Sequence, residues 1–424
     1  MAAPLVLFDA VIFDLDGTLV ATERFWVAAA MRGAERAFEE LGIEREQPSA
    51  QEWLSMVGLP LERAFERVFA DLSAPQRART LALCVEEEHK ALDAGGAAPM
   101  PGAFEALAAL RERGVKLGVA SNCSQAYLDA MLDGLREGGE SLRAFVREAR
   151  CLDSARVRNK TDMIRDLLES FGTRSVVMVG DRATDAEAAH SNAVPHIHLS
   201  SGFASVGERV ECEATLHGLD ELVGVLGGRA RWIGDVLREL DGRTIGVTGR
   251  PAAGKSTFAR DLVRVAELGG GEFGGGKARR IALDGFLRTA PFAGAAPDDH
   301  LARAFDLELL KSALLEPRRS GAATVAGPWG PSVAPDERLV MDGIFLADPR
   351  LRPAFDSLIH LAAPDELLLR RVAARDPSGA ELVRMRRDFL PAHAAFEARF
   401  PPAAHAERVL DADNSLGPLA FRAP

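Results

Sequence analysis

The sequence predicts an α/β protein with two domains, each a parallel sheet with flanking helices. Short apolar runs rich in β-branched residues occur in both halves of the chain, and such runs are typical of strands buried on both faces of a parallel sheet. Several of them end in a carboxylate, a hydroxyl or an amide, and the functional groups of open α/β sheets lie at the carboxyl ends of the strands. The length of 424 residues allows two or three domains.

A glycine-bounded loop in the second half follows the apolar run 244–247. Gly249 and Gly254 bracket four residues, and Lys255 and Ser256 follow directly. This is the spacing of a phosphate-binding loop, in which backbone N–H groups surround a phosphate, the lysine reaches the outer phosphates and the hydroxyl ligates Mg²⁺. The alternative is a glycine turn before an ordinary helix. The residues expected to bind the nucleotide phosphates are Gly249, Ala252, Ala253, Gly254, Lys255, Ser256 and Thr257.

Two carboxylates lie in the first apolar run, residues 10–19. Asp14 and Asp16 are two positions apart, so on a strand their side chains point the same way. Burying both is costly unless a metal ion or a proton separates their roles. Gly17 lets the chain turn away, and Thr18 can bond a phosphate oxygen. The alternative is an acidic turn at the end of a strand.

Three later segments favour a phosphate site over an acidic turn. Two are apolar runs, 116–122 and 175–181, that end in polar residues, and one is the start of an amphipathic helix. Hydroxyl and amide groups can hold a phosphate, and a bound anion would favour an ammonium at a helix start. The polar residues of these segments are Ser121, Asn122, Lys160, Asp181 and Asp185.

Together and in this order, these segments resemble the haloacid dehalogenase superfamily of phosphohydrolases. The matching motifs are DLDGT at 14–18, SN at 121–122, Lys160 and GDRATD at 180–185. The resemblance spans about the first 225 residues. It implies a Rossmann-like core that hydrolyses phosphate esters.

The resemblance also implies a division of labour. Asp14 would be the nucleophile that takes the phosphoryl group, and Asp16 would protonate the leaving oxygen and then activate water. Mg²⁺ would be bound by Asp14, the backbone carbonyl of Asp16 and Asp181, with Asp185 as an outer partner. The residues expected to hold the phosphoryl group are Thr18, Ser121, Asn122 and Lys160.

Between the first two motifs, helical periodicity predicts an inserted helical domain at about residues 20–98. It resembles the cap of the phosphoglycolate phosphatase and β-phosphoglucomutase branch, and a cap that closes over the site excludes water and favours small substrates. We expect Trp26, Trp53 and Met56 to form its core. The predicted helices are residues 24–41, 49–56, 61–69 and 75–92.

The second half resembles the uridine kinase, pantothenate kinase and phosphoribulokinase group of phosphate-loop kinases over most of residues 243–424. Three apolar runs, 279–287, 339–346 and 357–361, predict further strands. Besides the phosphate loop, the match rests on the motifs LDGFL at 283–287, MDGIFLADPRLRPAFD at 341–356, LRRVAARD at 369–376 and LPAH at 390–393. The resemblance implies that Lys255 is catalytic, that Asp284 accepts the proton of the substrate hydroxyl and that Asp342 and Ser256 lie near Mg²⁺. Arg370, Arg371 and Arg375 would be lid arginines that bind ATP, or an exposed basic helix face. The candidates for the acceptor pocket are Asp298, Asp299, His300 and Arg303.

Composition limits the partners and the compartment. The net charge of −11 does not favour binding to nucleic acid or to an anionic membrane. The four cysteines form no metal-binding spacing, so we expect reduced thiols of a cytoplasmic protein. No run approaches the ~20 apolar residues of a membrane span. The apolar run near the N-terminus contains acidic residues, so we expect no signal peptide.

These observations predict three segments: a phosphatase at 1–227, a connecting helix at 228–241 and a kinase at 242–424. The leading interpretation is a bifunctional enzyme, in which a small-molecule phosphatase is fused to an ATP-dependent kinase acting on a nucleoside, a sugar or a related alcohol. One alternative is a polynucleotide kinase-phosphatase, against which the cap and the net charge argue. Another is a binding protein with decayed sites, although every catalytic position is filled.

Overall fold

The computed structural model describes residues 4–200, 208–240, 242–268, 276–288, 301, 304–376 and 378–411. The chain divides into two compact units, one of residues 8–225 and the other of residues 4–7 together with those from 226 onward. Each unit contains a parallel sheet with flanking helices, which confirms the predicted fold class. Among the described residues, no helix is both long and apolar enough to cross a bilayer.

The first unit is built on a parallel sheet with the strand order β5-β2-β1-β6-β7-β8. The strands are β1 (Ala10–Phe13), β2 (Lys116–Ala120), β3 (Arg136–Glu137), β4 (Glu140–Ser141), β5 (Glu148–Arg150), β6 (Val176–Gly180), β7 (His196–Leu199) and β8 (Ala214–Leu216), of which β3 and β4 form a separate hairpin. Every residue of β1 and β6 is buried, as expected of central strands covered on both faces. The predicted polar residues follow β1, β2 and β6 directly.

Eight helices of the first unit lie within its described residues. They are α1 (Trp26–Leu41), α2 (Ala50–Leu54), α3 (Leu61–Val68), α4 (Ala74–Asp93), α5 (Ala103–Glu112), α6 (Gln125–Gly134), α7 (Lys160–Phe171) and α8 (Ala183–Ser191). The first four form the cap and confirm the predicted helices, with ends that differ by one or two residues. Helices α1 and α4 approach closely at Gly33, because this residue has no Cβ atom. A Cβ atom there would lie only 2.4 Å from the Cα atom of Cys84.

Aromatic packing forms the core of the cap, as predicted. The rings of Trp26 and Trp53 meet edge to face, with centroids 5.7 Å apart. Phe65 and Phe69 pack on Trp53 with centroid distances of 6.0 and 5.6 Å, and Met56 is also fully buried. Such ring pairs stabilise a small helical domain beyond the area they bury.

The second unit contains a five-stranded parallel sheet in the order β10-β11-β9-β12-β13 among the residues described. Its strands are β9 (Thr244–Gly249), β10 (Ala278–Ala282), β11 (Arg338–Asp342), β12 (Ser357–Ala362) and β13 (Arg408–Asp411). Strand β10 stops before the predicted end, because residues Leu283–Phe286 form a 3₁₀ turn. Helix α9 (Leu222–Arg238) begins in the last residues of the first unit and continues into the second. The other helices of the second unit are α10 (Lys255–Leu268), α11 (Leu307–Leu310), α12 (Glu316–Arg319), α13 (Asp365–Arg375), α14 (Ala380–Arg384), α15 (Leu390–Arg399) and α16 (Pro402–His405).

Helix α9 begins earlier than the connecting helix predicted from the sequence. The prediction ended the first domain at Gly227 and Gly228, and each glycine in a helix interior costs about 1 kcal/mol relative to alanine. The helix nevertheless continues through both. A Cβ atom at Gly227 would lie 2.7 Å from the Cβ atom of Pro4, so the glycine permits a close approach of the N-terminal segment.

The N-terminal segment packs in the second unit. Leu7 is fully buried in the cluster that includes Ile245, Phe258 and Leu262. The guanidinium of Arg264 donates a hydrogen bond of 2.7 Å to the carbonyl of Leu7. The predicted limits at 227 and 242 remain a prediction for experiments on separate fragments, but the structure adds residues 4–7 to the second unit.

Candidate active sites

The first candidate site lies at the carboxyl ends of β1 and β6. Asp14, Asp181 and Asp185 are all buried, and each offers a carboxylate oxygen that lies within 4.8 Å of the others. The hydroxyl of Thr18 is 3.4 Å from Oδ1 of Asp181. The topology therefore brings together four of the residues singled out in the sequence.

Lys160 holds this cluster together from the first position of α7. Its Nζ atom lies 2.7 Å from Oδ1 of Asp14 and 2.6 Å from Oδ1 of Asp185. Burial and then the charge of Asp185 raise the pKa of Asp14 well above its ordinary range. Although burial lowers the pKa of Lys160, the carboxylates of Asp14 and Asp185 raise it overall. The ammonium is thus a fixed positive charge beside the cluster.

The donor set fits a divalent cation that prefers oxygen. Three buried carboxylates face one ammonium, and Oδ2 of Asp14 has no hydrogen-bond partner among the described residues. Buried, unbalanced carboxylates are costly unless they are protonated or bind a cation. Hard carboxylate oxygens suit Mg²⁺ better than zinc.

Asp16 occupies a different environment from the acidic cluster. Its Oδ1 atom accepts hydrogen bonds from the hydroxyl of Thr22 at 2.6 Å and from that of Tyr127 at 2.7 Å. Burial raises the pKa of Asp16, and the bonds from Thr22 and Tyr127 oppose this rise. Sequence reasoning missed both partners, although Tyr127 is the single tyrosine of the chain.

Two side chains of the core reach the cap. The amide of Asn122, expected to bind a phosphate, donates to the carbonyl of Gly58 at 2.9 Å. Arg182 donates to the carbonyls of Val57 at 2.5 Å and of Ser55 at 3.4 Å. Arg182 lies inside the GDRATD motif, yet the sequence analysis assigned a role only to its aspartates. The neighbouring Ser121 is buried directly after β2. The hydrogen bond of its hydroxyl with Asp16 lowers the pKa of Asp16 and so opposes part of the rise caused by burial.

A cavity of about 400 Å³ lies between the core and the cap. Asp16 and Asn122 line it from the core side, and residues of α1, α3 and α4 line it from the cap. Its size is that of a small-molecule pocket.

The second candidate site is the phosphate loop between β9 and α10. Three of its residues have positive φ: Gly249 at 146°, Ala252 at 63° and Gly254 at 94°. A Cβ atom at Gly249 would lie 2.5 Å from the carbonyl oxygen of Leu361, so only glycine fits there. Helix α10 begins at Lys255, which places its unpaired N–H groups at the loop, as a phosphate site requires. Ala253 is buried below the loop, while the side chains of Ser256 and Thr257 are exposed.

Lys255 and Arg371 both bond backbone carbonyls of this loop. The Nζ atom of Lys255 lies 2.8 Å from the carbonyl oxygen of Arg250, and burial lowers the pKa of Lys255 to about 8. The guanidinium of buried Arg371 donates to the carbonyl of Ala252 at 3.2 Å. Arg375 is exposed and close enough for its charge to act on Lys255. The structure thus brings Arg371 and Arg375 to the loop.

Asp342 is held from two sides at the end of β11. The hydroxyl of Ser256 donates to its Oδ2 atom at 2.7 Å. Arg280 binds both carboxylate oxygens, with Nε at 2.7 Å from Oδ1 and Nη2 at 3.0 Å from Oδ2. Sequence reasoning missed Arg280. Its proximity to Asp342 follows from the strand register. Ala282 on β10 is paired with Asp342 on β11, and Arg280 precedes Ala282 by two positions.

Asp284 lies on the 3₁₀ turn after β10. Its side chain is exposed, but the surrounding protein raises its pKa by desolvation, and the charge of Lys255 opposes this rise. The charges of Asp284 and Lys255 therefore act on each other: Lys255 lowers the pKa of Asp284, and Asp284 raises that of Lys255. The four candidates for an acceptor pocket, Asp298, Asp299, His300 and Arg303, lie outside the described residues, as does most of the glycine-rich stretch 268–276.

Comparisons with known proteins match the two halves separately. Residues 11–198 match the family described as haloacid dehalogenase-like hydrolase, and residues 245–388 match an AAA domain. A phosphoglycolate phosphatase of Rhodospirillum rubrum is 32% identical over 214 residues, which cover 46% of this chain and 80% of that protein. A phosphoglycolate phosphatase of Synechococcus elongatus is 31% identical over 195 residues, which cover 46% of this chain and 85% of that protein. A crystal structure of a predicted phosphoglycolate phosphatase from Haemophilus somnus aligns with a TM-score of 0.45 at 18% identity, covering 52% of this chain and 98% of that one.

Proposed function

Because the chain belongs, through its first half, to the haloacid dehalogenase-like hydrolases, we propose that it is a bifunctional enzyme. Its first unit is a Mg²⁺-dependent phosphatase of small phosphate esters. Its second unit is an ATP-dependent kinase, similar to uridine kinases, that phosphorylates a hydroxyl of a nucleoside, a sugar or a related alcohol. We place the enzyme in the cytoplasm.

One observation carries the phosphatase proposal: the buried contact of Lys160 with Asp14 and Asp185. Lys160 holds Oδ1 of Asp14, which leaves Oδ2 to attack the phosphorus atom. As the bond from phosphorus to the leaving oxygen breaks, Asp16 donates a proton to that oxygen. Asp16 then takes a proton from water, which attacks phosphorus and releases phosphate and Asp14. The raised pKa of Asp16 supports its role as the acid.

Mg²⁺ bound by Asp14, the Asp16 carbonyl and Asp181, with Asp185 as an outer partner, would supply positive charge to the phosphoryl oxygens. Lys160 supplies further charge from the chain itself, while Thr18, Ser121 and Asn122 would hold the phosphoryl group. In this structure Asn122 instead contacts the cap, so its release to the phosphate would accompany a movement of the cap.

The kinase proposal rests on the phosphate loop and on Asp284. The loop N–H groups and Lys255 would bind the outer phosphates of ATP, and Arg371 and Arg375 would close over them. Ser256 and Asp342 would hold Mg²⁺. Asp284 would accept the proton of the acceptor hydroxyl, and its raised pKa supports a proton-accepting role.

Two variants test the two sites separately. Asp14→Asn should abolish hydrolysis of p-nitrophenyl phosphate, because an amide cannot attack phosphorus, and it should leave ATP-dependent phosphorylation unchanged. Lys255→Ala should lower phosphoryl transfer from ATP by at least about a hundredfold and leave ester hydrolysis unchanged. If one variant lowers both activities while the protein stays folded, the proposal of two independent sites is wrong.

A screen of nucleosides and sugars with radiolabelled ATP would identify the acceptor of the kinase. The same screen should include DNA and RNA ends, since a polynucleotide kinase-phosphatase is the alternative. Transfer to nucleic-acid ends that weakens steeply with salt would support that alternative. Transfer only to small alcohols would support the function proposed here.

A further inference from the structure

The cavity between core and cap is lined by one buried acidic side chain to which no role has been assigned. Glu88 lies on α4, lines the cavity and is only 8% exposed. It has no hydrogen-bond partner among the described residues. The adjacent Glu87, in contrast, binds Arg32, Arg36 and Lys90.

The position of Glu88 on α4 directs it to the cavity. Leu81, Val85, Glu88 and His89 all line the cavity, and their spacing of four, three and one residues places them on one face of the helix. An apolar residue is expected at such a buried position. A glutamate there, with no partner among the described residues for its carboxyl group, is available to bind a ligand.

The rest of the lining argues against a further anionic group on this ligand. Four carboxyl groups line the cavity, on Asp16, Glu62, Glu88 and Asp153, and the described lining residues include no lysine or arginine. A second carboxylate on the substrate would therefore meet like charges, with His89 as the one lining group that could offset them. Hydroxyl groups on the substrate would meet none of this repulsion.

Glu88 can also match a hydroxyl group in both directions. Burial, and then the charge of Asp16, raises the pKa of Glu88 to about 8. Near neutral pH much of this carboxyl is protonated, so it can donate one hydrogen bond and accept another. The groups that face it are Asp16 after β1, Tyr127 on α6 and His89 on its own helix.

We propose that the phosphatase acts on phosphate esters of neutral polyhydroxy alcohols of sugar size, and that Glu88 selects them by hydrogen-bonding their hydroxyl groups. The inference rests on the proposed phosphatase function and names its substrate class. The cavity of about 400 Å³ is large for a two-carbon leaving group but suits a sugar. Trp26, Leu81 and Val85 supply an apolar wall against which the carbon face of a sugar can lie.

The first test is a substrate panel with the wild-type protein. It compares kcat/KM for ribose 5-phosphate, glucose 6-phosphate, phosphoglycolate and phosphoethanolamine, with p-nitrophenyl phosphate as reference. We expect at least one sugar phosphate to exceed phosphoglycolate and phosphoethanolamine by about tenfold or more, the cost of one unmatched polar group. A preference for phosphoglycolate or phosphoethanolamine would overturn the inference.

Variants at position 88 test the residue itself. Glu88→Leu should lower kcat/KM for the preferred sugar phosphate by about tenfold or more and change p-nitrophenyl phosphate little. The side chain of Glu88→Gln can still donate and accept hydrogen bonds. This variant should therefore retain its kcat/KM for the sugar phosphate. Glu62→Leu is the matched control, because Glu62 lines the same cavity but is exposed. It should not show the loss in kcat/KM for the sugar phosphate that is expected of Glu88→Leu.

Two results separate the inference from the function on which it rests. If wild type hydrolyses no ester, p-nitrophenyl phosphate included, the phosphatase function itself fails. If p-nitrophenyl phosphate is hydrolysed and Glu88→Leu lowers all esters equally, the function stands but Glu88 is a structural residue and the inference is wrong.

Discussion

The Nζ atom of Lys160 lies 2.7 Å from Oδ1 of Asp14, and both side chains are buried. The two residues are 146 positions apart in the chain. Their contact joins the end of β1 to the start of α7. A buried pair of this kind is strongly disrupted when one partner is removed, which makes it a sensitive point for testing the site.

The variant Lys160→Met should lose nearly all phosphatase activity, because it removes a positive charge from the reacting phosphoryl group. It also leaves the buried carboxylates of Asp14 and Asp185 without their cation. We therefore expect the first unit to lose about 3–5 kcal/mol of stability in EDTA and to recover part of it in Mg²⁺. Thermal unfolding in both buffers measures this difference, with Lys90→Met as an exposed control. Equal stability in both buffers would argue against a metal at this cluster.

The cap contact of Arg182 predicts an effect on substrate binding. Arg182→Met keeps the length of the side chain but removes its hydrogen bonds to the carbonyls of Val57 and Ser55. We expect KM for small esters to rise by about 5- to 150-fold, because closing the cap becomes less favourable by about 1–3 kcal/mol. Amide hydrogen exchange at residues 55–59 should become faster. Arg32→Met, which removes a cap ion pair away from the site, should change neither quantity.

The contact of Arg280 with Asp342 predicts competition with Mg²⁺ in the second unit. Both carboxylate oxygens of Asp342 accept hydrogen bonds from Arg280, so the guanidinium competes with a metal ion for the negative charge of this carboxylate. Arg280→Met should lower the Mg²⁺ concentration for half-maximal kinase activity by about two- to tenfold. Arg279→Met, on the neighbouring position, is the control. A higher Mg²⁺ requirement in Arg280→Met would show that Arg280 assists binding at this site.

The burial of Leu7 predicts that the N-terminal segment stabilises the second unit. Leu7 is fully buried in its core, and Leu7→Ala should destabilise that unit by about 2–5 kcal/mol through lost burial and the cavity that remains. Calorimetry should show a lower transition temperature for the second unit, while the transition of the first unit stays as in wild type. The two transitions can be assigned by adding ATP, expected to stabilise the second unit, or Mg²⁺ and phosphate, expected to stabilise the first. Loss of stability in the first unit alone would contradict this assignment of residues 4–7.

His196 predicts a pH effect on the stability of the first unit. It is fully buried, neither ring nitrogen has a hydrogen-bond partner among the described residues, and burial lowers its pKa to about 4. Between that value and its ordinary pKa of 6.5, the unfolded chain binds a proton that the folded protein does not, so stability falls as the pH falls. The loss should reach about 3 kcal/mol at most.

The variant His196→Leu should remove this part of the acid sensitivity. Denaturant unfolding at pH 7 and pH 4.5 measures it, and the difference between the two pH values should shrink in the variant. Replacing exposed His217 by glutamine should leave the difference as in wild type. An unchanged pH dependence in His196→Leu would mean that other groups cause it.

The sequence by itself determined the two sheets, the cap helices and the positions of the motif residues. Strands buried on both faces must be apolar along their length, so their ends are visible where Asp14, Asp181 and Asp342 interrupt the apolar runs. The phosphate loop is equally local, because its glycines satisfy backbone angles within a few residues. Parallel topology then brings the strand ends to one edge.

Only the tertiary structure decided the contacts between elements that are far apart in the chain. The hydrogen bond from Asn122 to the cap, the ion pair of Arg280 with Asp342 and the burial of Leu7 in the second unit depend on how separate elements pack. The role of Glu88 is of the same kind, since a glutamate on a helix is ordinary until the cavity in front of it is known. Local propensity and spacing report the backbone of a segment, whereas side-chain partners are set by long-range packing.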